Sequence, residues 1–119
     1  MSLFDDVGPV QKELTIENMP LIDLYNKGVQ DVEAFEASCN QATYDEMEAT
    51  LNMVLKRFGE VPANAKGKLA GLPAAIPGML ASLKTLMASG SVYGSALPSV
   101  LASTAGGLKS TLYFAIGNL

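Results

Sequence analysis

The second half of this chain contains no acidic residue. All twelve Asp and Glu residues lie between Asp5 and Glu60, whereas residues 61–119 carry four lysines and no acid. The first 60 residues therefore have a formal charge of −8 and the rest have +4, which gives the net charge of −4. Because helices that are apolar nearly all round are normally buried, this division predicts a solvated first half and a second half that another surface covers.

The length of 119 residues predicts a single domain. Cys39 is the only cysteine, which rules out a disulfide within the chain. The N-terminal residues lack the basic and apolar regions of a signal peptide, so we expect cytoplasmic synthesis or a place in a virion or other assembly. Residues 85–108 are uncharged, but they contain seven Ser or Thr residues, four glycines and Pro98, which does not favour a membrane-spanning helix.

Residues 21–59 predict acidic amphipathic helices that follow an N-terminal arm, residues 1–20. A short helix should begin after Pro20 and end at Asn26-Lys27-Gly28. Residues 29–40 should form the next helix, because apolar residues recur there at helical spacing. These apolar residues are Val32, Phe35 and Cys39.

The sharpest local signal is a capping box formed by Thr43 and Glu46, whose side chains can each satisfy a backbone N–H at a helix start. Gly59 stands where a left-handed residue would end that helix. The sequence therefore predicts a helix over residues 44–58. Its apolar face consists of Tyr44, Met47, Leu51, Val54 and Phe58.

The second half predicts a linker over residues 60–71 and then apolar helices over residues 72–119. Prolines in first turns and glycines at ends place these helices near residues 77–89, 97–105 and 108–117. Residues 76–82 resemble residues 97–103 at an offset of 21. Two copies are fewer than a stable repeat array needs, and chance similarity explains the match equally well.

Catalytic and cofactor motifs are missing from the sequence. The chain has no histidine, which excludes Ser–His and Cys–His pairs and the usual zinc sites. Carboxylates cluster at Glu33 and Glu36 and again over residues 45–48, but a solvated helix face explains both clusters. Gly67-Lys68 lacks the rest of a phosphate-binding loop. We therefore expect no enzyme, no cofactor or metal and, without a basic cluster, no nucleic-acid partner.

Small residues four positions apart could let helices of two chains approach closely, although a tightly packed core within one chain explains the same pattern. Large apolar residues at helical spacing accompany them in the second half. We expect self-association through this part of the chain. The predicted contact residues are Leu80, Leu83, Gly90, Gly94, Leu97, Leu101 and Leu112.

Together these patterns predict an all-α single domain: a small bundle of about five short helices with an extended N-terminal arm. The favoured function is a non-enzymatic structural subunit that binds copies of itself or other subunits through its apolar C-terminal half. A virion, tail or secretion-apparatus component would fit, and contacts between the basic half of one copy and the acidic half of the next would build rings or filaments. The alternative is a membrane-active protein whose C-terminal half engages lipid.

Overall fold

The computed structural model describes residues 14–89 and 94–119, and these are all-α. The predicted fold class is therefore confirmed, whereas most of the predicted arm, residues 1–13, lies outside the described residues. Two short 3₁₀ turns accompany the helices, at Phe58–Glu60 and Gly94–Ala96. The helices are α1 (Leu21–Ala37), α2 (Gln41–Lys56), the single turn α3 (Ala63–Lys66), α4 (Leu72–Ala88) and α5 (Leu97–Asn118).

The four long helices form two hairpins, α1 with α2 and α4 with α5. Helix α1 packs between α2 and α5, and α5 packs between α1 and α4, while α2 touches α4 only lightly. The two hairpins thus meet mainly along the α1–α5 contact. Each hairpin is antiparallel, as short connections between packed helices require.

One continuous apolar core joins the two hairpins. Each large aliphatic or aromatic side chain that becomes fully buried stabilises the fold by about 1.5–3 kcal/mol. Both halves of the chain contribute to this core, so the acidic half covers one side of the apolar half. The largest fully buried side chains are Tyr25, Tyr44, Phe35, Leu24, Met47, Leu51, Leu69, Ile76, Leu83, Leu101, Leu108 and Leu112.

Gly28 does not end a helix, so the predicted break after residue 28 is wrong. Helix α1 continues to Ala37. A Cβ atom at Gly28 would lie 3.2 Å from Leu112 Cδ1 and 3.4 Å from Leu51 Cδ2. The glycine therefore lets α1, α2 and α5 approach one another closely, and their packing outweighs the cost of glycine in a helix interior, which is about 1 kcal/mol.

Helix α2 begins three residues earlier than predicted, and the Thr43–Glu46 capping box is wrong. Asn40 is the N-cap: its Oδ1 accepts the backbone N–H of Thr43 at 2.9 Å, and Thr43 Oγ1 accepts the backbone N–H of Asn40 at 3.3 Å. The sequence is compatible with both capping boxes, Asn40 with Thr43 and Thr43 with Glu46. The earlier capping box leaves Glu46 free to reach Lys27 on α1.

The predicted left-handed residue at the C-terminal end of this helix is also wrong. Gly59 lies in a 3₁₀ turn, and Gly94 is the one described residue with a positive φ.

The segment predicted as a linker, residues 60–71, is packed against the core. Val61, Ala65 and Leu69 are at most 3% exposed, and their spacing of four residues puts them on one face of the turn that contains α3. The Arg57 side chain binds Glu60 and donates to the carbonyl of Ile16 at 3.0 Å, which holds residues 14–19 against the same end of the bundle.

Neither Pro77 nor Gly106-Gly107 interrupts a helix as predicted. Helix α4 begins at Leu72 with Pro73 in its first turn, and Pro77 is accommodated inside it. A proline removes the hydrogen bond to the carbonyl four residues earlier and crowds that carbonyl. Here that carbonyl belongs to Pro73, which is exposed in the first turn of the helix. Helix α5 is continuous, and a Cβ at Gly107 would lie 3.4 Å from Met79 Sδ of α4. The two similar segments therefore occupy different positions in their helices.

Two buried tyrosines differ in the state of their hydroxyl groups. Tyr44 Oη lies 3.1 Å from the carbonyl oxygen of Leu80 on α4 and 3.2 Å from Glu48 Oε2. Tyr25 is fully buried, and its hydroxyl has no hydrogen-bond partner in the described part of the chain. Tyr44 thus joins α2 to α4 by a hydrogen bond. Burial of the Tyr25 hydroxyl costs desolvation free energy that no hydrogen bond within the described chain offsets.

We predict different responses to alanine at two helical glycines. Gly106→Ala should raise the free energy of unfolding by about 0.5–1 kcal/mol, because alanine loses less backbone entropy in a helix and no neighbouring atom opposes the new Cβ. Gly28→Ala should give a smaller gain or a loss, because Leu112 must move. Urea denaturation followed by circular dichroism measures both, and equal gains would contradict the close approach at Gly28.

Removing the two tyrosine hydroxyls should also have opposite effects. Tyr44→Phe should lower the free energy of unfolding by about 0.5–1.5 kcal/mol, because it deletes a buried hydrogen bond. Tyr25→Phe should leave stability unchanged or raise it, because the deleted hydroxyl is unpaired. The two variants make a matched pair in the same denaturation experiment. A larger loss at Tyr25 than at Tyr44 would refute this assignment.

The ionisation of Tyr44 should destabilise the fold at high pH. Burial, assisted by the Glu48 carboxylate, raises the pKa of Tyr44 from 10.0 to about 12. The unfolded chain loses this proton near its ordinary pKa, whereas the folded chain keeps it, so stability should fall as pH rises from about 10 to about 12. Denaturation across this range should show a shallower decline for Tyr44→Phe. An unchanged slope would show that Tyr44 is not involved.

Candidate functional site

The leucines predicted for self-association form part of the core of a single chain. Leu80, Leu83, Leu101 and Leu112 are at most 5% exposed. In the folded chain these four side chains belong to the continuous apolar core, where Leu112 lies against Gly28 of α1. Their role between copies stays a prediction, and the accessible surface offers different residues for it.

The remaining predicted contact residues lie near the connection between α4 and α5. Leu97 is half-buried at the start of α5. Gly94 is exposed at φ +55° in a 3₁₀ turn, with no atom near the position of a Cβ. It therefore supplies a left-handed turn, while close helix approach falls to Gly28 and Gly107. Gly90 lies outside the described residues.

The predicted carboxylate pair of α1 binds a lysine of the second half. Lys109 Nζ on α5 lies 2.7 Å from Glu36 Oε1 and 3.9 Å from Glu33 Oε2. The hydrogen bond with Glu36 raises the pKa of Lys109. This contact joins the acidic and basic halves across the α1–α5 boundary, so these carboxylates are occupied within the chain.

A second polar cluster lies between α1 and α2. Lys27 Nζ donates to Asp31 Oδ2 and Glu46 Oε2, each at 2.8 Å, and lies 3.3 Å from Thr50 Oγ1. The buried Thr50 hydroxyl donates to Asp31 Oδ2 at 2.6 Å. Burial lowers the pKa of Lys27, but the hydrogen bonds with Asp31 and Glu46 outweigh this and raise it. The i, i+4 spacing of Lys27 and Asp31 was a signal for this cluster that the sequence analysis missed.

These two clusters use charge to hold helices together. Within the part of the chain that the structure describes, no group of three His, Cys, Asp or Glu side chains is placed to hold a metal ion. The buried carboxylate of Asp31 and the half-buried carboxylate of Glu36 each bind a lysine. A surface with few charged residues lies elsewhere, on α4 and α5.

The exposed residues of helix α4 and the exposed aromatic residues of α5 are together called the α4–α5 face. On α5, Tyr113 is 54% exposed and Phe114 is 56% exposed. On α4, the exposed residues are small apart from the prolines and one lysine, so the helix presents a smooth surface with a single charge. These α4 residues are Pro73, Ala74, Pro77, Gly78, Ala81, Ser82, Lys84, Thr85 and Ala88.

A groove of about 500 Å³ crosses this face between the two helices. Half-buried Leu86 gives it an apolar surface, and the Thr104 hydroxyl is already engaged with the carbonyl of Val100 at 3.0 Å. No ionisable side chain lines the groove, so it suits an apolar or aromatic group better than a charged substrate. The lining residues are Ala81, Ser82, Thr85, Leu86 and Thr104.

Among the helices in residues 14–89 and 94–119, none combines the length and hydropathy that crossing a membrane requires. Comparisons with protein-family models, curated proteins and solved structures found no match to this chain.

We predict that the polar cluster of α1 and α2 depends on its buried members. Thr50→Val should lower the free energy of unfolding by about 1–3 kcal/mol, because it leaves the Asp31 carboxylate short of a donor. Glu46→Gln should cost less than about 1 kcal/mol, because this residue forms an exposed ion pair. Thermal and urea denaturation of the two variants provide the comparison. Similar costs at both positions would contradict the cluster's dependence on burial.

Proposed function

We propose that this protein is a non-enzymatic structural subunit that associates with copies of itself or with other protein subunits through the α4–α5 face. The observation that carries the proposal is the composition of that face: nine exposed residues of α4 include one charge, and two large aromatic side chains stand exposed on α5. Exposed aromatic side chains and a surface with few charges are characteristic of interaction sites in folded proteins.

The distribution of charge supports the same proposal. Lys27, Arg57 and Lys109 bind carboxylates within the chain. The α4–α5 face lacks a comparable polar coat, although such a coat would keep a free monomer apart from its neighbours. Depletion of charge with exposed aromatic residues is the composition found at the centres of protein interfaces.

A lipid surface is the second candidate partner. Lys66, Lys68 and Lys84 form no ion pair within the described residues, and an acid-free basic surface can attract anionic lipids. The α4 surface, however, is made of small side chains, whereas interfacial helices insert large apolar ones. A protein partner fits this surface better, because small side chains allow another backbone to approach closely.

Association is tested by sedimentation velocity over a wide range of protein concentration, in parallel with flotation on vesicles of phosphatidylcholine and phosphatidylserine. We expect concentration-dependent self-association, or a discrete oligomer, and no flotation. Flotation with the vesicles would support the lipid alternative. A monomer at the highest concentration that also ignores vesicles would contradict self-association and lipid binding together.

A further inference from the structure

We propose that Tyr113 and Phe114 of one copy dock into the α4–α5 groove of a second copy. This inference rests on the proposed function and identifies the contact by which the copies associate. The donor surface, the adjacent aromatic pair on α5, is called the aromatic pair below. The acceptor is the groove lined by Ala81, Ser82, Thr85, Leu86 and Thr104.

The aromatic pair has the properties of an interface anchor. Both side chains are more than half exposed, although their helix is otherwise packed by its leucines and alanines. Aromatic side chains bury large areas on binding and lose little conformational entropy, which is why they dominate interface energetics. Burial of both side chains against a second surface would therefore stabilise the complex relative to the free chain.

The groove is complementary to such a pair in size and chemistry. A space of about 500 Å³ with Leu86 in its lining accommodates an aromatic ring. Hydroxyl groups of Ser82 and Thr85 stand in the same lining and can accept or donate to the phenol of Tyr113. A buried tyrosine needs such a partner for its hydroxyl.

The aromatic pair cannot reach the groove of its own chain. Thr104 and Phe114 lie on the same continuous helix. Ten residues of α-helix separate them by about 15 Å along its axis. The contact must therefore join different copies, and it joins two different surfaces. Repetition of a contact of this kind builds rings or open filaments.

Charges near the two surfaces are complementary. Lys84, beside the groove on α4, forms no ion pair within the described residues. At the other surface, Tyr113 lies one helical turn from Lys109. The carboxylates of Glu36 and Glu33 lie 2.7 and 3.9 Å from Lys109 Nζ, so this group of three charges has a net charge of −1. Docking of the aromatic pair beside Lys84 of the next copy would bring a basic and an acidic neighbourhood together.

Two variants test the contact separately. Tyr113→Ser with Phe114→Ser removes the aromatic pair and keeps the groove, whereas Ala81→Gln with Ser82→Gln fills the groove and keeps the aromatic pair. Each should weaken self-association at least about tenfold in sedimentation equilibrium, which corresponds to about 1.4 kcal/mol. All four positions are exposed, and circular dichroism with thermal unfolding checks that each variant folds.

Mixing the two variants gives the most specific result. One variant keeps an intact groove and the other keeps an intact aromatic pair, so the mixture should form a 1:1 dimer that grows no further. Leu14→Ser and Ala49→Gln are matched controls, since they alter exposed residues away from α4 and α5, and they should leave association unchanged. If a double variant fails to fold, Phe114→Ser alone and Ser82→Gln alone make the same comparison.

The outcomes separate this inference from the proposed function. Self-association of the natural chain that both variants retain at full strength would overturn the docking of the aromatic pair and leave the assembly function standing. The inference would also be overturned if each variant associated as strongly as the natural chain and the mixture associated no more strongly than either variant alone. A natural chain that stays monomeric would overturn the self-association on which the inference rests.

Discussion

The close contact of α1 with α5 is the interaction on which the rest of the structure depends. It is the main contact between the two helical hairpins of the described chain, and the contact between α2 and α4 is much lighter. Gly28 lets Leu112 approach the α1 backbone, and Lys109 binds Glu36 at the same boundary. Because apolar packing and an ion pair act together there, the acidic half of the chain can cover one side of the apolar half.

The same arrangement explains which residues remain for function. Internal contacts occupy the Lys27–Asp31–Glu46–Thr50 cluster and the carboxylates of Glu33 and Glu36, so these groups stabilise the fold. Leucines that the sequence suggested for contact between copies are used in the core. The α4–α5 face stays exposed to solvent, and it carries few charged residues. The assembly function that we propose rests on that surface.

The periodicity of apolar residues predicted the helical class correctly because helical spacing is a local property. Helix ends were less predictable. Asn40, Thr43 and Glu46 offer two overlapping capping frames, and Gly28, Pro77 and Gly106 resemble breaks when neighbours are ignored. Packing accompanies the continuous helices at Gly28 and next to Gly106, with Leu112 against Gly28 and Met79 against Gly107. The frame that begins at Asn40 leaves Glu46 free to bind Lys27. Tyr113 and Phe114, which define half of the candidate contact, lie off the buried face of α5 that Leu108, Leu112 and Ala115 share. Only the fold shows that no other described helix covers them.

The sequence by itself determined that the chain is all-α and lacks the usual histidine and zinc chemistry, and that its second half has too few charges to coat itself. These properties depend on composition and on the spacing of neighbouring residues. Only the tertiary structure decided which side of the second half is covered. Contacts between residues distant in the chain, such as Lys109 with Glu36 and Tyr44 with Leu80, turn one side of that half toward the acidic helices. The opposite side stays exposed because no other part of the described chain packs against it.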